Sequence, residues 1–227
     1  MSLPTRSAVF RPDMRRPWLL ANFVGFAIGA ALWGGVLRGL EQPYYESQIS
    51  TMDAARIQAI SSGVSWAIAG AVIGTAQWLV LRRLLRARWW IPATSVGFAL
   101  GGIVSGFNAG GSVSTIGPDA GPLPPVVGVV LWPLVIYLVG SGQWLILRRE
   151  IDGPGWWPAV NGAAIIAGFG AGLGVAKLLP WFAPTDFPSA PALAVVGSVG
   201  GPVYGWLTWA FLSSRAPAEN RDQTRRP

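Results

Sequence analysis

The chain has 227 residues, 52% of them hydrophobic and only 12% charged, with 30 Gly, 13 Trp, no Cys and no His. The lack of Cys excludes disulfides, thiolate nucleophiles and thiolate-held zinc or iron–sulfur centres, and the lack of His removes the commonest general base and metal ligand. A charged fraction about half that of soluble domains, with a mean hydropathy of +0.44, points to a membrane protein, in which the distribution of the +7 net charge matters more than its sum.

A hydrocarbon core about 30 Å thick needs roughly 20 mostly apolar helical residues. Six stretches qualify, at approximately 18–37, 62–81, 90–107, 126–147, 157–179 and 191–211. The expected fold is therefore all-α and polytopic. A basic tail (1–17) precedes a six-span domain (18–211), and a polar, mobile tail (212–227) follows it. Internal glycines and Pro133, unfavourable in a soluble helix, are tolerated in membrane spans.

The chain opens on Arg6, Arg11, Arg15 and Arg16 before its first apolar run, a pattern shared with signal peptides. The run is about 20 residues, longer than the usual 7–15-residue signal core, and reads as a retained first span. The following segment, 38–61, holds Glu41, Tyr44, Tyr45, Glu46, Asp53 and Arg56. Ser50 or Thr51 is placed to cap a helix entering the second span, with Asp53 in its first turn. Residues 108–125 read as a long irregular loop, and 180–190 as a Pro-rich apolar segment that lies on the membrane or contacts a partner subunit. Lys177, near the outer end of the fifth span, reads as a snorkelling side chain.

Basic residues set the orientation. Four lie in the N-terminal tail, four in the second connection (Arg82, Arg83, Arg86, Arg88), two in the fourth (Arg148, Arg149) and four in the C-terminal tail. Fourteen of the seventeen thus share one side, leaving Arg38, Arg56 and Lys177 on the other. The positive-inside rule then makes both termini cytoplasmic. Trp18, Trp78, Trp89, Trp90, Trp144, Trp156, Trp157, Trp206 and Trp209 fall near the same interface and read as an aromatic belt.

The chain also repeats itself. Residues 77–83 read Gln-Trp-Leu-Val-Leu-Arg-Arg and residues 143–149 read Gln-Trp-Leu-Ile-Leu-Arg-Arg. Each is followed by a Trp pair (Trp89–Trp90, Trp156–Trp157) and then Pro-Ala. Val24–Gly29 matches Val96–Gly101, and the last span keeps a degenerate ending at Gly205-Trp206-Leu207. The unit is a two-helix hairpin occurring three times, at about 18–83, 89–149 and 156–211. The copies enter from one side, which makes them parallel repeats about a rough threefold axis.

On these motifs the chain resembles a group of uncharacterised bacterial multi-pass membrane proteins built from such repeats, over most of residues 18–211. The resemblance implies a polytopic fold in the bacterial inner membrane and carries no activity, cofactor or site residue. Three two-helix repeats are also a feature of mitochondrial carriers, but the repeated helices lack their Pro-x-Asp/Glu-x-x-Lys/Arg motif.

Lipid gives no hydrophobic drive between helices, so small residues must let backbones approach. Candidate pairs are Gly25/Gly29, Gly70/Gly74, Gly97/Gly101, Gly168/Gly172, Gly170/Gly174, Gly197/Gly201 and Gly201/Gly205, and they predict a tight bundle with little central volume.

Gln77 and Gln143, at matching repeat positions one turn inside the helix ends, are the leading intramembrane polar residues. They read as interhelical glue or as a ligand contact, including an amide oxygen on a pigment metal. Asn22, Asn161, Ser65, Ser141 and Thr208 read the same way. Arg82, Arg83, Arg86, Arg88, Arg148 and Arg149 fit topology and contact with lipid headgroups, or docking of an acidic partner; such short clusters at helix ends do not suit nucleic acid. The sequence offers no catalytic set, metal constellation or cofactor motif. The expected function is a non-catalytic accessory or scaffold subunit of a larger bacterial membrane complex, respiratory or photosynthetic, with other membrane subunits or itself as partner. The alternative is a carrier or channel for a small solute or lipid-like cargo, and a membrane enzyme ranks last.

Overall fold

The computed structural model describes residues 12–45, 51–83, 85, 88–113, 125–149, 151, 153–179 and 190–214, with backbone alone at 12, 38, 41–45, 51–52, 54–55, 107–113 and 125–135. Among these residues all regular structure is helical. A short 3₁₀ turn leads into α1 (Arg15–Tyr45), followed by α2 (Thr51–Leu81), α3 (Trp90–Val113) and α4 (Pro125–Leu147). A second 3₁₀ turn, Pro154–Trp156, leads into α5 (Trp157–Ala176), and α6 (Ala190–Ser214) completes the set. Four described helical stretches are long and apolar enough to cross a membrane: Arg15–Leu37, Arg56–Leu81, Pro154–Ala176 and Ala190–Ser214. Trp90–Gly106 and Ile136–Leu147 are shorter apolar helices.

The helices overrun several expected boundaries. α1 and α2 have 31 residues each, about 46 Å at the helical rise, so they outlast the hydrocarbon core. Most of the expected outer segment 38–61 is therefore helix, and Thr51 starts α2 with Asp53 in its first turn. Asp53 lies 3.8 Å from Arg56, an exposed pair of little energetic weight. α3 runs to Val113, so the first six residues of the expected irregular loop 108–125 are also helical. Residues 114–124 and 180–189, with 1–11 and 215–227 of the two terminal tails, lie outside the described residues. α6 carries Pro202 in its interior, as α4 carries Pro133.

Each helix packs on its chain neighbours and α6 packs on α1, so the six close into a ring. Glycines seat the seams. A side chain at Gly197 or Gly201 of α6 would collide with the Phe26 or Asn22 carbonyl of α1, and Gly168 of α5 and Gly200 of α6 face each other's backbone. Gly25 meets α2, Gly70 and Gly74 meet α3, and Gly97 meets α4. The expected Gly170/Gly174 seam is absent, because both positions face open space while Gly168 and Gly172 make the α5–α6 contact.

These approaches all join adjacent helices. They tighten the circumference and leave the axis open, so the expected lack of central volume does not hold. A cavity of about 280 Å³ lies on the axis, walled by residues of all six helices.

Gly201→Leu is expected to destabilise the bundle by at least about 2 kcal/mol, because backbone opposes the new side chain. Gly174→Leu should stay within about 0.5 kcal/mol of the parent. Unfolding of the purified protein in detergent checks both.

Candidate functional site: a buried polar layer

One end of the ring carries exposed Arg82, Arg83, Arg88, Arg148 and Arg149 and is called here the basic end. The local chain course is the same after α2 and α4. Arg82 N–H donates to the Trp78 carbonyl and Arg148 N–H to that of Trp144, while Leu85 and Ile151 donate back to Leu81 and Leu147. The guanidinium of Arg82 lies 5.2 Å from the Trp78 ring centre, and that of Arg148 lies 5.0 Å from Trp144. These contacts fix two arginines over indoles and keep their charge at the surface. Arg88 sits 5.8 Å from Trp89, and Arg86 lies outside the described residues.

Inside this surface is an apolar plug. Trp18, Trp90 and Trp157 begin the buried faces of α1, α3 and α5, and Leu81, Leu147 and Leu212 end those of α2, α4 and α6. The three indoles are fully buried and Trp209, in the same plug, is 6% exposed, so the aromatic-belt reading fails for these four. It suits their neighbours Trp89 and Trp156, which are 59% and 68% exposed. In each Trp pair the first ring, in the turn before the helix, faces outward and the second, at the first helical position, faces inward.

One turn deeper lies the polar layer. Four residues beyond each buried Trp stand Asn22, Thr94 and Asn161; four residues before each buried Leu stand Gln77, Gln143 and Thr208. All six are buried, with exposures of 0–1%.

Their hydrogen bonds run around the ring. Trp90 Nε1 donates to Gln77 Oε1 at 2.9 Å, joining α3 to α2, and Trp157 Nε1 donates to Gln143 Oε1 at 3.2 Å, joining α5 to α4. Trp18 Nε1 donates to Thr208 Oγ1 at 3.1 Å, joining α1 to α6. The amide nitrogens cross the other seams. Gln77 Nε2 donates to Asn22 Oδ1 at 2.8 Å, and Gln143 Nε2 donates to Thr94 Oγ1 at 3.0 Å. At the last seam the Tyr204 hydroxyl donates to Asn161 Oδ1. Every one of the six helix seams is thus crossed by a side-chain hydrogen bond of this layer.

The layer is also tied to its own backbone. Asn22 Nδ2 donates to the Trp18 carbonyl, Thr94 to that of Trp90 and Thr208 to that of Tyr204, each at 2.8 Å. Asn161 Nδ2 has no partner among the described residues. Ser65 and Ser141 bond to carbonyls of their own helices and take no part in the layer.

Two features escaped the sequence reading. The ending of the last helix that occupies the glutamine position is Thr208-Trp209 with Leu212, three residues later than the expected Gly205-Trp206-Leu207. Gly205 has no side chain to stand for the glutamine amide; its carbonyl shares the Trp18 indole N–H with Thr208, at 3.1 Å, and the residue packs against Asn22. Threonine is too short to replace both halves of a glutamine, and Tyr204, one turn earlier, supplies the missing donor. The second feature is the partnership of the buried indoles. Its signal was a Trp followed four residues later by Asn or Thr, present in α1, α3 and α5.

Chemically the layer is neutral and engaged. Both glutamine oxygens accept an indole N–H and both nitrogens donate. Among the residues whose side chains are described no Asp, Glu, Lys or Arg is buried, and no group of His, Cys, Asp or Glu could hold a metal ion.

A double-mutant cycle of Gln143→Leu with Trp157→Phe should show a coupling of about 1 kcal/mol in detergent unfolding. The same cycle with exposed Trp89→Phe should show none. No family model, curated protein or solved structure matches the chain.

Proposed function

We propose that this chain is a non-catalytic integral membrane protein of the bacterial inner membrane, an accessory or scaffold subunit of a larger complex. It would span the bilayer six times as three parallel two-helix repeats, with both termini cytoplasmic. The supporting observation is the polar layer. Its amides and hydroxyls bond chiefly to one another and to their own backbone, as a structural girdle does, and among the described side chains no ionisable pair of the kind acid–base catalysis needs is buried. The recurrence of one donor–acceptor scheme around the ring supports the repeat reading. The excess of arginine at one end supports the orientation. Those arginines suit anionic headgroups or an acidic face of a partner subunit.

Mild-detergent extraction from native membranes, followed by native mass measurement, tests the role. Co-migration with other subunits in fixed stoichiometry is expected, and an isolated monomer would overturn the accessory-subunit reading. Orientation has a clean assay because the chain contains no Cys. Asp53→Cys should react with an impermeant maleimide added outside intact spheroplasts, and Ser213→Cys only after permeabilisation.

A further inference from the structure

The axial cavity begins where the polar layer ends. On α1 the plug, polar layer and cavity wall follow one another as Trp18, Asn22 and Phe26; on α2 the same order is Leu81, Gln77 and Ile73. The wall then continues along α1 to Trp33 and along α2 to Trp66, seven residues or about 10 Å of helix. It is apolar almost throughout and rich in rings. Trp33 and Trp66 have centroids 4.7 Å apart, and Trp66 and Phe98 5.6 Å.

We propose that this cavity is a binding site for one acyl chain of a membrane lipid. An apolar void stays dry, and one of about 150 Å³ already takes up benzene; at about 280 Å³ and two helical turns in length, this one suits a slim hydrocarbon chain. The floor selects a tail over a head group, because the layer beneath it has its amides and hydroxyls engaged with one another, all but Asn161 Nδ2. The wall is least covered on α5, where Ile166 and Phe169 line the cavity yet are 57% and 38% exposed and a side chain at Gly170 would meet open space, so the proposed entrance lies there. A tail enters there from the surrounding bilayer while its head group stays outside.

The proposal needs the helices to sit in a membrane but does not depend on the accessory-subunit reading; labelling reports on the cavity and co-migration on the complex. The test is photolabelling of the full-length protein in detergent with a palmitate analogue carrying a terminal diazirine, followed by peptide mapping. Saturable labelling of Phe26, Trp66 or Phe98, displaced by palmitate, is expected. Gly170→Phe should lower it about tenfold or more, equivalent to about 1.4 kcal/mol of binding, whereas Gly174→Phe, equally open but outside the wall, should leave it unchanged. Ala30→Phe, which fills the cavity from α1, serves if Gly170→Phe does not give a monodisperse helical protein. Absence of label from the wall, or equal label in a folded cavity-filled variant, overturns the proposal.

Discussion

The indole N–H that meets a side-chain oxygen across a helix seam is the interaction on which this architecture depends. A bilayer offers no water to a stranded amide or indole, so each buried polar group has to be answered by another part of the protein. Trp90 and Trp157 are answered by the glutamines of the preceding helix, and Trp18 by Thr208 of the last one. Each bond is worth on the order of 1 kcal/mol, too little to hold a bundle by itself. Its effect is on register. A helix that slid by one residue would strand several donors together, so a closed circuit of modest bonds discriminates strongly among packings that glycine contacts alone would leave close in energy.

Glycine supplies the complementary part. Where α6 meets α1, Gly197 and Gly201 bring the two backbones into direct contact; where α5 meets α6, Gly168 and Gly200 do so reciprocally. Because these contacts run between neighbours and none spans the axis, tight seams and a hollow centre coexist. Bulky rings such as Phe26, Trp66 and Phe98 line that centre together with Gly170, Gly197 and Gly200, which carry no side chain into it.

Much of this was legible in the residues. Apolar length and arginine placement locate the helix ends on the basic side, where Leu81 and Leu147 stop just before an Arg pair. Gln77 and Gln143 stand out because an amide in an apolar run has few uses. The buried role of Trp18, Trp90 and Trp157 was hidden because tryptophan near a membrane interface has a ready alternative, and one-dimensional proximity cannot tell an inward ring from an outward one. The helical character of 108–113 was hidden by glycine and asparagine, which favour turns in water yet are carried by a long helix here. The offset between Gly205 and Thr208 was hidden because identity of side chains suggested one alignment and hydrogen bonding selects another. A cavity depends on where side chains fail to meet, and a linear pattern records only what is present.

The seam between α1 and α6 has a further consequence. It joins α1 to α6, across 190 residues in the case of Trp18 and Thr208. During synthesis Trp18 therefore has its circuit partner withheld until α6 is inserted, and the face of α1 that receives Gly197 and Gly201 stays uncovered for the same interval. A ring closed in this way cannot form step by step along the chain, because its closing seam needs α1 to wait for α6.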